Sequence, residues 1–293
     1  MKINKSNLQL FYFFISDRHN IYKKKNILEL PPPWSDNQIL KEFKFTNVFR
    51  DLDPGTKYVI ESIIPKVQDI QDLIFNAIIY RLYNKIATFE QVWIQNVKNF
   101  DRGEFEKKLR EIKDSGEKVF TNAFIVSGYS FVASEWDKVA RTSRIIDDIS
   151  KTIPSLSGEI EENKSSEFTF RAIKDLPWIG DFLAYQICVD MGYARKELYD
   201  EDAHVVAGPG CRRWLDRIFE SRGEHKYEDC ISWLVDNQDA EFGKLWIDPD
   251  ILFEDREVRR LNLMAVENCL CEFSKYMKAL NWEGRPRNRY RVR

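Results

Sequence analysis

The feature that most constrains this chain is the spacing of its apolar residues. They recur three and four positions apart, and nowhere alternate with period two for long. The clearest case is the stripe Val258, Leu261, Ala265, Cys269, Phe273, Tyr276, Met277 and Leu280, which falls on one face of a helix. It reads as core. Its flank carries Glu267, Asn268, Glu272 and Lys275, the last two an i,i+3 surface pair of little energetic weight. Ile70–Tyr83 has the same period and ends on Tyr80, Arg81 and Asn84. Before it, a helix starting near Thr56 carries Val59, Ile60, Ile63, Ile64 and Val67, and Pro65 should break it. Four further helices are expected: Phe89–Val97 including Trp93, Phe105–Ile112, Val119–Ile125 and Val139–Ile149, with Gly116 and Gly128 as punctuation. The expectation is an all-α fold without a sheet.

The most informative stretch is Asp175–Arg213. Leu176-Pro177-Trp178-Ile179-Gly180 makes a turn, and Phe182, Leu183, Tyr185, Gln186, Ile187 and Val189 then read as a helix with one buried face. The free amides at that helix start suit an anion such as a DNA phosphate. Asp202-Ala203-His204 and Gly208-Pro209-Gly210-Cys211-Arg212-Arg213 follow. On the residues alone, a Pro-Gly turn between ordinary helices competes with a phosphate-gripping hairpin.

This stretch resembles the helix-hairpin-helix of the DNA glycosylase superfamily. There a Leu-Pro-Gly-x-Gly hairpin holds backbone phosphate and a later Asp-Thr-His supplies the active-site carboxylate. Trp178 replaces the usual glycine and Ala203 the threonine. Lyase members carry a lysine two residues past the last hairpin glycine, where this chain has Phe182. The resemblance therefore implies a helical glycosylase-like fold, but no Schiff-base lyase.

Composition bounds the rest. A formal net charge of −2 shows no overall basic bias, so any DNA surface must come from local patches. The five cysteines, Cys188, Cys211, Cys230, Cys269 and Cys271, mostly sit in apolar stretches and read as free thiols of a reducing compartment. Their spacing suits neither an iron-sulfur cluster nor zinc, so no structural metal is expected. The apolar patch Leu8–Ile15 is too short to span a bilayer, and no cleavage site follows it. The expected setting is cytoplasmic and not secreted.

Residues 1–30 read as an N-terminal extension, 31–283 as one helical domain and 284–293 as a basic tail. Lys23, Lys24 and Lys25 are solvated or touch a phosphate. Pro31-Pro32-Pro33-Trp34 is stiff punctuation, and Ser35 or Asp36 would cap the next short helix. The polar stretch Ser155–Ser166 reads as a loop and an internal boundary. Arg212–Arg222 and Tyr227–Asn237 look helical. In the tail, Arg285, Arg287 and Arg289 either lie in a disordered segment or fork onto DNA phosphates.

Six blocks in order carry a narrower resemblance. They are Pro33-Trp34; Phe45 to Asp53 with Asn47 and Arg50; Arg81 to Asn84; Leu176 to Gln186; Gly208 to Arg213; and Glu267 to Tyr276. Together they look like the alpha-glutamyl/putrescinyl thymine pyrophosphorylases and the helical domain of 5-hydroxymethyluracil DNA kinases. That resemblance implies phage DNA hypermodification. An amino acid or polyamine would displace (pyro)phosphate from a 5-(phospho-oxymethyl)uracil in double-stranded DNA, downstream of a 5-hydroxymethyluracil DNA kinase. The chain has no Gly-x-x-x-x-Gly-Lys-Ser/Thr loop of its own.

Such a transferase must flip the base, hold the leaving group, take a proton from the amine and grip the backbone. The residues assigned are Asp202 as base or electrostatic stabiliser, with His204 beside it as catalytic or structural imidazole. Gly208, Gly210, Arg212 and Arg213 are assigned to phosphate. Asn47, Arg50, Asp53, Arg81, Asn84, Gln186, Glu272 and Lys275 are assigned to the pocket, where Tyr185 faces the base or the core. Trp178, Gly180, Arg285, Arg287 and Arg289 are assigned to DNA. No cofactor is required, although Mg2+ could arrive with the (pyro)phosphate. A monofunctional glycosylase and a non-catalytic DNA-binding module are the alternatives.

Overall fold

The computed structural model describes residues 1–121, 137–253 and 258–290, and it is all-α apart from one small sheet. The chain forms two compact units. One joins Met1–Asp53 to Val205–Arg293; the other is Pro54–His204.

In the first unit the helix Lys5–Tyr22 is core. Asn4 caps it by accepting from the Asn7 amide, and Leu8, Phe11, Tyr12, Phe14 and Ile15 are buried. Phe11 and Phe14 pack against Phe273 of the long helix Leu263–Leu280, at ring separations of 5.4 and 5.3 Å. Trp214, on the helix Pro209–Ile218, meets the same ring at 4.7 Å. The long helix buries Ala265, Cys269, Phe273, Tyr276 and Met277 as the apolar stripe requires. Val258 and Leu280, the two ends of that stripe, are exposed, and Val258 precedes the helix. The helix Tyr227–Asp236 forms as its pattern suggests.

Three expectations need correcting in this unit. A sheet exists: Lys2–Ile3 pairs antiparallel with Phe219–Ser221, strands too short to show an alternating pattern, and it ends the helical reading of Arg212–Arg222 at Ile218. The helix Gln38–Glu42 is capped by Asn37, because the Ser35 hydroxyl donates to Asp17. The tail is ordered through Tyr290: Lys44 donates to the Asn288 carbonyl, Tyr290 donates to Glu42, and Phe43 bridges Arg289. Backbone pairing, which side-chain composition does not reveal, holds it.

In the second unit Pro54–Tyr58 runs on through tighter and wider turns to Lys66, ending where Pro65 removes a donor. Ile70–Tyr83, capped by Asp69, is buried on every side from Leu73 to Tyr83. Arg102–Asp114 and Lys138–Ser150 match their apolar periods.

The helix expected over Phe89–Val97 stops at Val92. Trp93 takes φ +61°, a conformation costly for a bulky side chain, and Val97 begins a separate short turn. Val119 is buried and Phe120 stacks on Tyr83, but neither is helical; Phe124, Ile125 and Gly128 lie outside the described residues. Ser155–Ser166 is no loop. Ile153–Asn163 is a helix that buries Leu156 and Ile160, its acidic residues forming the outer face. Lys164 ends it at φ +46°.

The helices Ser166–Lys174 and Asp181–Ala194 flank the Leu176–Gly180 turn. The second is buried continuously from Leu183 to Met191, rather than on the single face expected. Gly192 sits where this helix meets the chain at Tyr199; a Cβ there would overlap the Tyr199 carbonyl oxygen. Gly192→Ala should therefore cost about 1–3 kcal/mol through displaced backbone. A urea titration checks this, and an unchanged midpoint would contradict the close approach.

Among the described residues no helix is long and apolar enough to cross a membrane.

Candidate functional site

In the first unit the Thr46–Asp53 turn folds over one face of the long helix. Asp53 accepts from the Asn47 amide at 2.8 Å, and the Asn47 side chain donates to the Leu52 carbonyl at 2.7 Å. From the helix, Asn268 donates to the Asn47 carbonyl at 2.9 Å and Glu272 accepts from the Thr46 amide at 3.3 Å. Arg259 forks onto Asp51 at 2.9 and 3.0 Å and anchors the turn's far end.

This arrangement buries charge. Burial pushes the Asp53 carboxyl up to about 6, against the opposing pull of the Asn47 amide and the Arg50 and Arg18 guanidiniums; Glu272 adds to the rise. Burial also raises Glu267, although the Cys271 thiol and the Gly208 amide both donate to it, each at 3.2 Å. Asp53, Glu267 and Glu272 with Arg50 and Arg18 thus form one interacting group. Lys275 pairs with Glu272 at its edge. A carboxylate poised near neutrality is suited to moving a proton to or from a substrate.

The Gly208–Gly210 turn lies against the same face. A Cβ on Gly208 would stand 3.0 Å from the Glu267 carboxylate, and one on Gly210 would stand 3.5 Å from the Cys271 backbone. Arg212 donates to the Ala207 carbonyl at 2.8 Å, bracing the turn, while Arg213 is exposed. The Gly208 amide expected to cradle phosphate is thus occupied by Glu267.

The second unit holds the other predicted residues. The Arg81 guanidinium forms a buried two-point pair with Asp190 and donates to Asn84 at 3.1 Å. Burial alone would weaken its hold on the proton, and Asp190 more than reverses that. Gln186 and Tyr185 are buried on the Asp190 helix.

Asp202 is about half exposed. Lys196 stands between it and Asp200, at 3.6 and 3.5 Å. These residues, with Tyr193, Tyr199 and Glu201, line a small pocket. His204 shares a 2.9 Å hydrogen bond with the Tyr199 hydroxyl and packs on Phe170. In the Leu176–Gly180 turn, Trp178 takes φ +66°, a left-handed conformation that favours glycine, and Gly180 starts the next helix without a side-chain cap.

The first unit therefore brings Asn47, Arg50, Asp53, Gly208, Gly210, Glu272 and Lys275 onto one helix face. The second unit gathers Arg81, Asn84 and Gln186 around Asp190, with Asp202 and His204 in the loop that follows. Glu267, named only as flanking the apolar stripe, and Arg18 and Asp190 were not assigned to the site from sequence. A signal existed for Glu267: with Asn268, Cys271 and Glu272 it forms a polar i, i+1, i+4, i+5 set beside an apolar stripe. Arg18 sits between Asp17 and His19 at the polar end of its helix, and Asp190 interrupts an apolar run, so neither pointed to a site in the sequence. Among the described residues no group of three or more His, Cys, Asp or Glu is placed to hold a metal ion.

Comparison with known proteins adds identity to this geometry. The family model described as "5-hmdU DNA kinase, helical domain" matches residues 5–284. That match includes the helix Lys5–Tyr22. A protein named 5-hmdU DNA kinase, from Bacillus phage SP10, is 25% identical over 285 residues, covering 91% of this chain and 44% of that protein. The chain thus spans less than half the length of this curated relative. No solved structure matches it. With its model matched over nearly the whole chain, the protein belongs to the family of 5-hmdU DNA kinase helical domains.

Proposed function

We propose that this chain is a DNA base-hypermodification transferase. It acts on 5-(phospho-oxymethyl)uracil in DNA, the kind of base that a 5-hmdU DNA kinase such as its relative would be expected to supply. The observation that carries the reading is the Asp53 carboxylate, desolvated and poised near neutrality beside Glu267, Glu272 and Arg50. An amine arrives mainly as ammonium. Asp53 takes one of its protons, and the freed nitrogen lone pair bonds to the exocyclic methylene carbon. The C–O bond to the (pyro)phosphate breaks, and its electron pair leaves on the phosphate oxygen. Glu267 and Glu272 favour a cationic amine at this position, and Arg50 or Arg213 offsets charge on the leaving group.

In this reading Asp53 acts as the base, ahead of Asp202. Asp202 is half exposed and is engaged by Lys196 at 3.6 Å, outside the group formed by Asp53, Glu267 and Glu272.

The test is nucleoside mass spectrometry. The protein is incubated with 5-hydroxymethyluracil DNA, a kinase that phosphorylates it, ATP, and a mixture of amino acids and polyamines. The expected product is a nucleoside carrying an amine adduct. A released base with an abasic site would move the assignment to glycosylase. Unchanged DNA, with the phosphorylated base shown to be present, would leave a binding module.

A further inference from the structure

The chain's near-zero net charge hides a local concentration of cations in the first unit. The ordered tail is its foundation. Tyr290 packs edge-on against Trp34 at 5.1 Å, and the Lys25 ammonium stands 5.5 Å from both rings. Backbone bonds from Lys44 to Asn288 and from Tyr290 to Glu42 fix the tail beside Lys44. Lys44 is close enough that its charge, after partial burial, weakens Lys25's hold on its proton. Like charges thus stand together without neutralisation. Among the described residues neither lysine has an acidic partner, and nor does exposed Arg285, whereas Arg289 is engaged by Glu42 at 2.9 Å. Exposed Arg287 lies between them in sequence.

Lys25 and Lys44 thus stand beside a tail that brings Arg285, without an acidic partner of its own among the described residues. The geometry points to a DNA-backbone docking surface formed by Lys25, Lys44, Arg285 and Arg287, with Trp34 and Tyr290 holding Lys25 in place. Its occupant is the phosphate backbone of duplex DNA. Charge complementarity argues for it: the tail, pinned beside Lys44 by backbone bonds, carries cations that match a polyanion, and arginines fork onto phosphate oxygens. The surface deepens the proposed function, resting on its premise that DNA is the substrate. It contributes positioning and no sequence preference.

The experiment measures binding of the full chain to a short fluorescein-labelled duplex by anisotropy across a salt series. It compares wild type with Lys25→Ala/Lys44→Ala/Arg285→Ala and with the exposed control Lys107→Ala/Lys108→Ala. The triple variant should bind more weakly on every duplex tested, with the slope of log affinity against log salt reduced by about one per charge removed. The control should keep the wild-type slope. Circular dichroism melting of each variant separates lost binding from lost folding. An unchanged slope in the folded triple variant would overturn the inference. So would equal loss in the control, which would show diffuse attraction. Binding of anionic phospholipid vesicles that depends on these residues, without such dependence for DNA, would overturn it in favour of a membrane surface. Because the readout is binding, its failure is distinct from failure of amine transfer, which mass spectrometry reports.

Discussion

Asp53→Asn is expected to slow amine transfer severely and at the same time raise the melting temperature at pH 8. The two effects have one origin. The folded chain holds the Asp53 proton more tightly than the unfolded chain does, moving the carboxyl from its ordinary 3.8 to about 6. Its contribution to stability is therefore full below the unfolded value and is lost as pH rises through about 6. Above that, the fold carries a buried charge at a cost on the order of 3 kcal/mol. Asparagine is neutral, still accepts from the Asn47 amide, and removes that cost. Each kcal/mol recovered corresponds to roughly 2–4 °C in a chain of this size. The same substitution removes the base, and turnover should fall about 10²–10⁴-fold. Wild-type activity should decline as pH is lowered through about 6, as the base becomes protonated. A variant with ordinary turnover, or one that melts earlier at pH 8, would remove Asp53 from the role proposed for it.

The second large effect is expected at Arg81. Its guanidinium is enclosed and committed to Asp190 and Asn84. Arg81→Met leaves the Asp190 carboxylate buried without its partner, which should cost about 3–5 kcal/mol. The double variant Arg81→Met/Asp190→Leu should recover most of the stability, because well-packed apolar side chains replace a buried pair at little net cost. Urea unfolding followed by circular dichroism reads both variants. If Arg81→Met instead unfolds at the wild-type midpoint and only turnover falls, the residue serves substrate rather than the fold.

Arg81 also shows what kind of information the sequence holds. Ile70–Tyr83 and Leu263–Leu280 were legible because a helix with an apolar stripe writes its period into the chain. The turn around Leu176–Gly180 was legible because proline fixes φ and glycine widens it, although the left-handed residue there is Trp178 rather than Gly180. The helix Ile153–Asn163 was misread because its apolar positions, Leu156 and Ile160, are few, and its outward face is all that composition registers. The end of the helix at Trp93 was hidden because that residue takes a left-handed conformation which tryptophan rarely adopts. The strand Phe219–Ser221 depends on a partner more than two hundred residues away. For the site, the polar set Asn47, Arg50 and Asp53 stood out from its apolar neighbours, yet its convergence with Glu267 required knowing which helix face the turn would cover. The pairing of Arg81 with Asp190 was likewise invisible, since each reads locally as an isolated charge in an apolar helix.

The order in which the chain is made bears on how it must be handled by the cell. The first compact unit takes its residues from both sides of the second, so the helix Lys5–Tyr22 leaves the ribosome well before the helix Leu263–Leu280 that covers Phe11 and Phe14. About 150 residues separate the two halves. The covering helix begins about 240 residues after Tyr22, so at elongation speeds of roughly 5–20 residues per second the aromatic face of the first helix waits roughly 10–50 seconds for its cover. The intervening unit has all its own helices in sequence and can close during that interval. Nascent chains stalled between His204 and Leu263 should therefore carry one finished body and one sticky amphipathic helix, a natural target for holdase chaperones.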